Sequence, residues 1–287
     1  MLSLTIKTEV AIIVPKKDLA AQTIWNQLND QSMFKETNEI FDNNSVYSYE
    51  KQPNKIKIIH SERDGVESNH LDSSIEAELY IFASRHRAAS GTPALLIHPT
   101  GNWSKVTLEG RENELSYTSS RVLRSGLMKL QEKKEEYNLE DFKVDLEVTH
   151  HGPTQLKTPL VFMELGSSEE FWIHEKGAIA VGEAIIETAE EFIEQTPYSG
   201  QSYVGFGGNH YAYRFHKHVM ENPEISISHI APKHVLDEIT SDIVQQAFNK
   251  TIENPVGAFI DKKGARSEQR RIITEMVEEL GKECIQI

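Results

Sequence analysis

The sequence predicts an α/β fold with a central sheet flanked by helices. Two observations predict it. Short apolar segments rich in β-branched residues recur along the 287 residues, and stretches of helical periodicity separate them. No long low-complexity linker interrupts this alternation. We therefore expect a single domain over residues 1–287, with residues 100–118 as a candidate small subdomain because they carry little periodicity.

Each predicted element rests on its own local pattern. The predicted strands are Val10–Val14, Ile56–Ile59, Leu79–Ala83, Ala94–His98, Val144–Thr149, Leu160–Leu165, Tyr203–Phe206, Ile225–Ile230 and Val256–Ile260. The predicted helices are Leu19–Leu28, Ser119–Tyr137, Lys176–Gln195, His234–Lys250 and Arg266–Leu280. Two polar segments, Asp42–Asn54 and Thr100–Thr118, are predicted to be loops.

Composition limits the class of protein. No apolar run reaches the roughly 18 residues of a membrane-spanning helix, and the start of the chain is too short and too charged for a signal peptide. We therefore expect a cytoplasmic protein without a membrane partner. Cys284 is the only cysteine, so an intramolecular disulfide and a thiolate zinc cluster are excluded. Any metal must be held by histidines and carboxylates.

The net charge is −14, from 30 basic and 44 acidic residues. This charge opposes general nucleic-acid binding, and DNA binding in particular, because phosphate contacts need clustered Lys and Arg. It leaves room for one local basic patch that contacts RNA. The candidate residues are Lys262, Lys263, Arg266 and Arg270. The alternative is a solvated helix start, in which arginines pair with Glu268 and Glu275.

Histidines and one glutamate recur at the carboxyl ends of the predicted strands. They are His86, His98, His150, His151, Glu164, His210 and His229. Ligand sites of open α/β sheets lie at these ends, so parallel neighbouring strands would bring most of the side chains to one edge. Single histidines are more often structural, and we assign that role to His229 and His174. We expect His216 and His218 to lie on a solvated surface.

The residue types at these strand ends suit a divalent metal, and zinc in particular. We assign metal binding to His86, His151 and His210, and acid–base catalysis to His98, His150 and Glu164. Adjacent residues of a strand point to opposite faces. His150 and His151 can therefore share one site only if the strand has ended, which the following Gly152 and Pro153 favour.

Two further segments are candidates for substrate binding. The glycine-rich segment 205–211 can present backbone N–H groups to a ligand, and we assign Gly207, Gly208 and Tyr211 to this role. Arg85 and Asn102 flank the strand Ala94–His98 and its neighbour, and arginine suits a phosphate contact. No Gly-x-Ser-x-Gly motif occurs, which disfavours a serine nucleophile.

These motifs resemble the archaeal-type D-aminoacyl-tRNA deacylase family. The matching blocks are Ser84-Arg85-His86 with Ser90-Gly91, His98-Pro99-Thr100-Gly101-Asn102, Thr149-His150-His151-Gly152-Pro153-Thr154, Glu164-Leu165-Gly166-Ser167 and Gly205-Phe206-Gly207-Gly208-Asn209-His210-Tyr211. The sequence departs from the family pattern at Trp103-Ser104-Lys105, where a glycine-rich stretch is expected, and at Leu19-Ala20-Ala21, where a proline is expected. The first departure affects the loop beside the predicted site.

The resemblance implies a phosphorylase/hydrolase-like three-layer sandwich with a mostly parallel, mixed central sheet. It also implies a monomeric zinc enzyme that hydrolyses the ester bond between a D-amino acid and tRNA. Which side chains hold zinc does not follow from the resemblance. The number of zinc ions, the preferred amino acid and the basis of chiral discrimination are likewise left open.

Three alternatives compete with this interpretation. A histidine could act as general base without a catalytic metal, and chelation separates the two mechanisms. A zinc amidohydrolase or peptidase acting on small N-acyl or peptide substrates would be nearly indifferent to salt, whereas a tRNA enzyme loses apparent affinity as salt rises. The third alternative is a non-catalytic tRNA- or metal-binding protein. It is disfavoured because it does not explain why so many polar side chains lie at the ends of strands.

Overall fold

An eight-stranded mixed sheet is the largest element of the structure, a computed structural model that describes residues 5–106, 108–195 and 198–287. The strands are β1 (Ile6–Lys7), β2 (Val10–Pro15), β3 (Phe34–Phe41), β4 (Asn44–Tyr49), β5 (Ile56–Ser61), β6 (Ile75–Glu76), β7 (Leu79–Arg87), β8 (Ala94–His98), β9 (Gly101–Asn102), β10 (Glu114–Leu115), β11 (Lys143–Leu146), β12 (Leu160–Ser167), β13 (Gln201–Phe206), β14 (Ile225–Ala231), β15 (Gly257–Ile260) and β16 (Glu283–Gln286).

The helices connect these strands. They are α1 (Leu19–Asp30), α2 (Ser120–Glu136), α3 (Glu169–Trp172), α4 (Glu175–Ile193), α5 (Tyr213–Glu221), α6 (Ser241–Asn249) and α7 (Ser267–Glu279). Side chains cap several of them. Asp18 accepts a hydrogen bond from Ala21 N at 3.0 Å at the start of α1. The Nδ1 atom of His174 accepts one from Gly177 N at 3.0 Å at the start of α4, which gives His174 a structural role.

The large sheet has the strand order β11-β8-β12-β7-β2-β5-β4-β3. Its centre, β12-β7-β2-β5, is parallel, whereas β8 and β11 run antiparallel to β12. Helices α1, α2 and α4 pack on one face. The other face is covered by apolar side chains outside the long helices, including Ile6, Leu71 and Leu156.

A second sheet has the order β14-β13-β15-β16 and is parallel throughout. Helix α2 packs against both sheets, and α6 and α7 enclose a separate apolar cluster beside the second sheet. One buried cluster contains Ile97 of the first sheet and Ile227 of the second. A single domain over residues 1–287 stays a prediction.

The α/β fold with its mixed, mostly parallel sheet is confirmed, and each predicted strand is present. Two predictions are wrong. Segment Asp42–Asn54 is not a loop, because β4 pairs with β3 as an antiparallel hairpin. Helix His234–Lys250 is interrupted, because a 3₁₀ turn at Lys233–Val235 ends before Thr240 caps α6. Within the described residues, the helices are too short or too polar to cross a bilayer.

Residues 100–118, the candidate subdomain, form an irregular segment around the short pair β9–β10. Thr107 lies outside the described residues. Trp103 and Leu115 of this segment are buried in the cluster of the second sheet. The backbone N–H of Gly152 donates to the carbonyl of Leu108 at 2.9 Å, which fixes the segment against the chain that follows His151.

Candidate active site

The structure brings six of the predicted side chains together between the two sheets. They are His86, His98, His150, His151, Glu164 and His210. The reason differs from the predicted one, because β8 and β11 do not share a parallel edge with β7 and β12. Instead, the chain after β11 crosses to the second sheet. Val148 N donates to His210 O and Thr149 N donates to Ile230 O, each at 3.0 Å.

His150 and His151 both face this cluster, because the strand has ended before them. Strand β11 ends at Leu146, and His151 has a left-handed backbone with φ of 43°. The ring centroids of His150 and His151 lie 4.2 and 4.9 Å from that of His98. The chain turns here, as Gly152 and Pro153 predicted, and the side chains of His150 and His151 can therefore point into the same site.

Three of the rings are oriented by backbone carbonyls. The Nδ1 atom lies 3.1 Å from Pro99 O in His98, 2.8 Å from Val148 O in His150 and 2.6 Å from Gly152 O in His151. A carbonyl can only accept, so each Nδ1 carries the proton and the lone pair of a neutral ring is on Nε2. Carbonyl contacts of this kind fix the tautomer of metal-binding histidines.

Glu164 is buried and has an imidazole beside each carboxylate oxygen. His86 Nδ1 lies 3.3 Å from Oε2, and His98 Nε2 lies 3.5 Å from Oε1. Within the part of the chain that the structure describes, His98 Nε2 makes no hydrogen bond. With the proton of a neutral ring on Nδ1, two acceptors face each other across this gap. A proton or a cation between them would remove the repulsion.

A second buried carboxylate, Glu147, was not among the predicted site residues. Its side chain has no exposed surface, and its oxygens make no hydrogen bonds with any described residue. Oε1 lies 2.8 Å from His210 Nε2 and 3.6 Å from His86 Nδ1. A buried carboxylate costs considerable free energy unless a cation or proton compensates it. Glu147 therefore belongs to the same electrostatic cluster as Glu164.

The pKa shifts divide the cluster into two groups. Burial alone would raise the pKa of Glu164, but the adjacent rings of His86 and His98 outweigh it and hold the pKa well below the usual range. Burial opposes charge on both rings, and the carboxylates outweigh it and raise their pKa values. In contrast, burial and the neighbouring imidazoles lower the pKa of His150 well below its usual value and that of His151 to about 4.

Among the described residues, three sets of metal-ligand atoms lie close enough to hold an ion. They are His98–His150–His151, His86–Glu147–His210 and His98–Glu147–Glu164, and within each set the donor atoms lie within 4.8 Å of one another. The three predicted metal ligands, His86, His151 and His210, therefore do not all belong to one of these sets. His86 and His210 share one group with Glu147, whereas His151 lies with His98 and His150. Imidazole and carboxylate donors without thiolates fit zinc.

A cavity of about 520 Å³ opens onto these side chains. The cluster residues on its wall are His86, His150, His151, Glu164 and His210. Arg85 also lines it, but its guanidinium lies 2.9 Å from Asp64 and 3.4 Å from Asp18. The predicted phosphate contact of Arg85 would compete with these carboxylates. Leu108 and Glu109 close another side of the cavity.

Asn102 does not lie on the wall of this cavity. It is buried, and its side-chain nitrogen donates to the carbonyls of Glu109 and Arg111 at 2.9 and 3.2 Å. Its visible role is to hold the loop that borders the cavity. Gly207 and Gly208 have φ of 107° and 87°, which only glycine adopts easily, and they carry the chain to His210 and Tyr211. The hydroxyl of Tyr211 lies 3.3 Å from His86 Nε2.

The arginines and the lysines of the predicted basic patch differ in their contacts. Arg266 forms a close ion pair with Asp237, and Arg270 donates to the carbonyls of Lys262 and Ala265. Lys262 and Lys263 are exposed. Arg271 pairs with Glu268 and Glu275, as the alternative interpretation expected.

His229 and His216 lie outside this cluster. His229 is fully buried, with its Nε2 3.1 Å from Ser116 O, and burial lowers its pKa to about 3. His216 was expected on a solvated surface, but this is wrong. Its side chain is mostly buried, 3.3 Å from Asp145, and burial lowers the pKa of its ring.

A mixed α/β fold places buried histidines and carboxylates beside a cavity, which is a site of the class that enzymes use for hydrolysis. The family described as D-aminoacyl-tRNA deacylase matches residues 73–285. Relatives named D-aminoacyl-tRNA deacylase include those of Thermococcus onnurineus, 32% identical over 96% of this chain and 98% of the relative, and Methanosarcina acetivorans, 34% identical over 96% and 91%. The chain belongs to the D-aminoacyl-tRNA deacylase family.

A solved structure supports the fold. The crystal structure of a conserved protein of unknown function superposes with a TM-score of 0.86 at 24% identity, over 97% of this chain and 95% of the other. The arrangement of both sheets is thus shared with an experimentally determined protein.

Proposed function

We propose that this chain hydrolyses the ester bond between a D-amino acid and the 3′ end of tRNA, in the cavity lined by His86, His150 and Glu164. The observation that carries the proposal is the cluster of imidazoles around two buried carboxylates at the floor of that cavity. The volume of about 520 Å³ lies in the range of small-molecule sites, which fits an aminoacyl group and a terminal nucleoside. The names of the relatives support the substrate.

We further propose that zinc is the resident metal. The buried Nε2 of His98 and both oxygens of Glu147 find no hydrogen-bond partner among the described residues, which suits atoms that coordinate a cation. His98, His150 and His151 would hold it through Nε2, and Glu147 with His86 and His210 offers a second position. When bound, zinc lowers the pKa of a coordinated water to about 7 and polarises a carbonyl oxygen.

The side chains of the cavity supply the proton transfers. The carboxylates of Glu164 and Glu147 favour the protonated form of His86, which lines the cavity. His86 can therefore donate a proton to the departing 3′ oxygen of the ribose. His150 is held neutral at pH 7, so its Nε2 can bind a cation or accept a proton. Segment 207–211 places the Tyr211 hydroxyl beside His86, where it can orient the ring.

Rates of amino-acid release from D-tyrosyl-tRNA and L-tyrosyl-tRNA, each with and without a chelator, test this proposal. We expect fast release from the D form, slow release from the L form and loss of activity on chelation, restored by zinc. If the amino acid is still released after the metal has been removed, a histidine acts as the general base and the metal is not catalytic. No release from either tRNA would contradict the substrate assignment.

We also propose that the enzyme acts as a monomer, as the family resemblance implies, and that it works in the cytoplasm, as expected from its composition. Light scattering of the purified protein tests the first point, with the 32.6 kDa chain mass as the expected value. A dimer mass would contradict it. Fractionation of cells that express the protein tests the second point.

A further inference from the structure

A second cavity, of about 370 Å³, adjoins the proposed active site. Residues 207–211, the second part of the glycine-rich segment 205–211, separate the two cavities. His210 lines the first cavity, whereas Gly208, Asn209 and Tyr211 line the second. This second cavity lies at the carboxyl ends of the parallel strands β13, β14 and β15, which is where α/β sheets commonly bind ligands.

The second cavity is bordered by positive charge in a chain with a net charge of −14. Lys233 and Lys263 line it and are exposed, and neither ammonium group forms an ion pair with a described residue. Arg214 also lines it, at 3.3 Å from Asp261. Two unpaired ammonium groups beside one cavity suit a phosphate group.

Close packing of two loops brings these lysines together. A Cβ atom at Gly264 would lie 2.2 Å from Gly208 N, so only glycine lets the loop after β15 contact the glycine-rich segment. Lys263 precedes this contact, and Lys233 N donates to Gly208 O at 2.9 Å. Both lysines are thus fixed to the loop that carries His210 into the active site.

An exposed aromatic ring completes this cavity. Tyr213 lies on its wall at the start of α5, and 69% of the residue is exposed. A single exposed apolar residue is ordinary on a protein surface. An exposed aromatic ring beside unpaired cations, however, is the combination by which proteins hold single-stranded nucleic acid, since bases stack on the ring and phosphates contact the cations.

We propose that Tyr213, Lys233 and Lys263 form a subsite for the single-stranded nucleotide that precedes the terminal adenosine of the tRNA. Its base stacks on Tyr213, and its 3′ phosphate lies between the two lysines. The ester-bearing adenosine then passes over segment 207–211 into the first cavity. This inference rests on the proposed function, and it explains how an acidic protein engages tRNA without a large basic surface.

Two measurements test the subsite. The first is the affinity of the full-length protein for a short single-stranded RNA that ends in CCA, over a range of salt concentrations. The second compares kcat/KM on D-tyrosyl-tRNA with that on the D-tyrosyl ester of adenosine, which lacks the preceding nucleotide. The variants are Tyr213→Ala, Tyr213→Phe and the double variant Lys233→Ala with Lys263→Ala. The charge-matched control is Lys51→Ala with Lys176→Ala, at exposed positions elsewhere.

We expect Tyr213→Ala to weaken RNA binding about tenfold and Tyr213→Phe to retain it, because stacking needs only the ring. The double lysine variant should flatten the dependence of log affinity on log salt by about 0.7 for each lost phosphate contact. Losses in kcat/KM should be at least about tenfold larger on the tRNA than on the adenosine ester. The control pair should match the wild type.

Wild-type RNA affinity in all three variants would overturn the subsite, as would equal losses on the tRNA and the adenosine ester. If the wild type hydrolyses neither ester, the proposed function fails. The RNA-binding measurement still decides the subsite in that case, because it requires no turnover.

Discussion

The Nε2 atom of His210 lies 2.8 Å from a carboxylate oxygen of Glu147, whose side chain has no exposed surface. His210 is about half exposed and lines the cavity. Through this contact, a residue of the cavity wall interacts directly with the buried carboxylate of Glu147. The pair can serve as metal ligands, or Glu147 can orient the ring. In both cases we expect turnover to depend on the negative charge of Glu147.

Glu147→Gln keeps the size of this side chain and removes its charge. We expect turnover of D-aminoacyl-tRNA to fall about 10- to 100-fold, as is usual for groups that bind or orient a metal site. Steady-state kinetics and the zinc content of the purified variant check this. Glu140→Gln, an exposed change of the same type, is the control. Full activity of Glu147→Gln would remove this carboxylate from the mechanism.

Glu147 could not be singled out from local sequence patterns, for a physical reason. Lys143, Asp145 and Glu147 alternate with apolar residues, which predicts a strand with one solvated face. Asp145 and Glu147 instead lie under the second sheet and α5, because His210 and Ile230 accept hydrogen bonds from Val148 and Thr149. Such contacts between distant segments do not appear in local periodicity.

His150 and His151 provide the second prediction. His150→Ala and His151→Ala should each lower turnover at least about 100-fold, because both rings face His98 with Nδ1 held by a carbonyl. Zinc content separates the roles, since loss of metal marks a ligand and loss of rate alone marks proton transfer. Exposed His234→Ala is the control. Near-normal turnover in both variants would contradict the assignment.

Strand positions were predictable and sheet topology was not. Val10–Val14 and Ala94–His98 are found as expected, since buried β-branched segments bounded by polar residues are local features. The reversed direction of β8 follows from its short connection to β7, residues 88–93, which has no room for a crossover helix. Strand β11 then runs parallel to β8 after the crossover through α2. The hairpin β3–β4 was missed because its exposed strands are too polar to show an apolar pattern.

Gly166 provides a third prediction, because it lies directly opposite His86 in the pairing of β12 with β7. A Cβ atom at Gly166 would lie 2.6 Å from His86 Cβ and 2.8 Å from His86 O. Gly166→Ala must therefore displace His86 from Glu164, and we expect kcat/KM to fall at least about tenfold. Ser168→Ala, two positions later, is the control. Steady-state kinetics and thermal unfolding of the variant will show whether kcat/KM falls while the unfolding temperature is largely retained. An unchanged kcat/KM would show that turnover does not depend on the exact position of His86.

His60 is expected to control how stability depends on pH. It is buried in β5 against Trp25, with its ring centroid 5.1 Å from that of the tryptophan, and its Nδ1 has no hydrogen-bond partner in the described ranges. Burial and the positive charge of Lys16 lower its pKa to about 4. The unfolded chain, with a histidine pKa of about 6.5, binds more protons between these values. This contribution to stability is therefore complete above about pH 6.5 and is lost as the pH falls toward 4.

His60→Phe removes this titration and keeps an aromatic ring in the apolar site. Between pH 7 and pH 4.5, the wild type should lose about 2 kcal/mol more free energy of unfolding than the variant. Urea unfolding of both proteins at the two pH values measures this difference, and other titrating groups cancel because they are common to both. Parallel losses in the two proteins would show that His60 accepts a proton in the folded state as easily as in the unfolded chain.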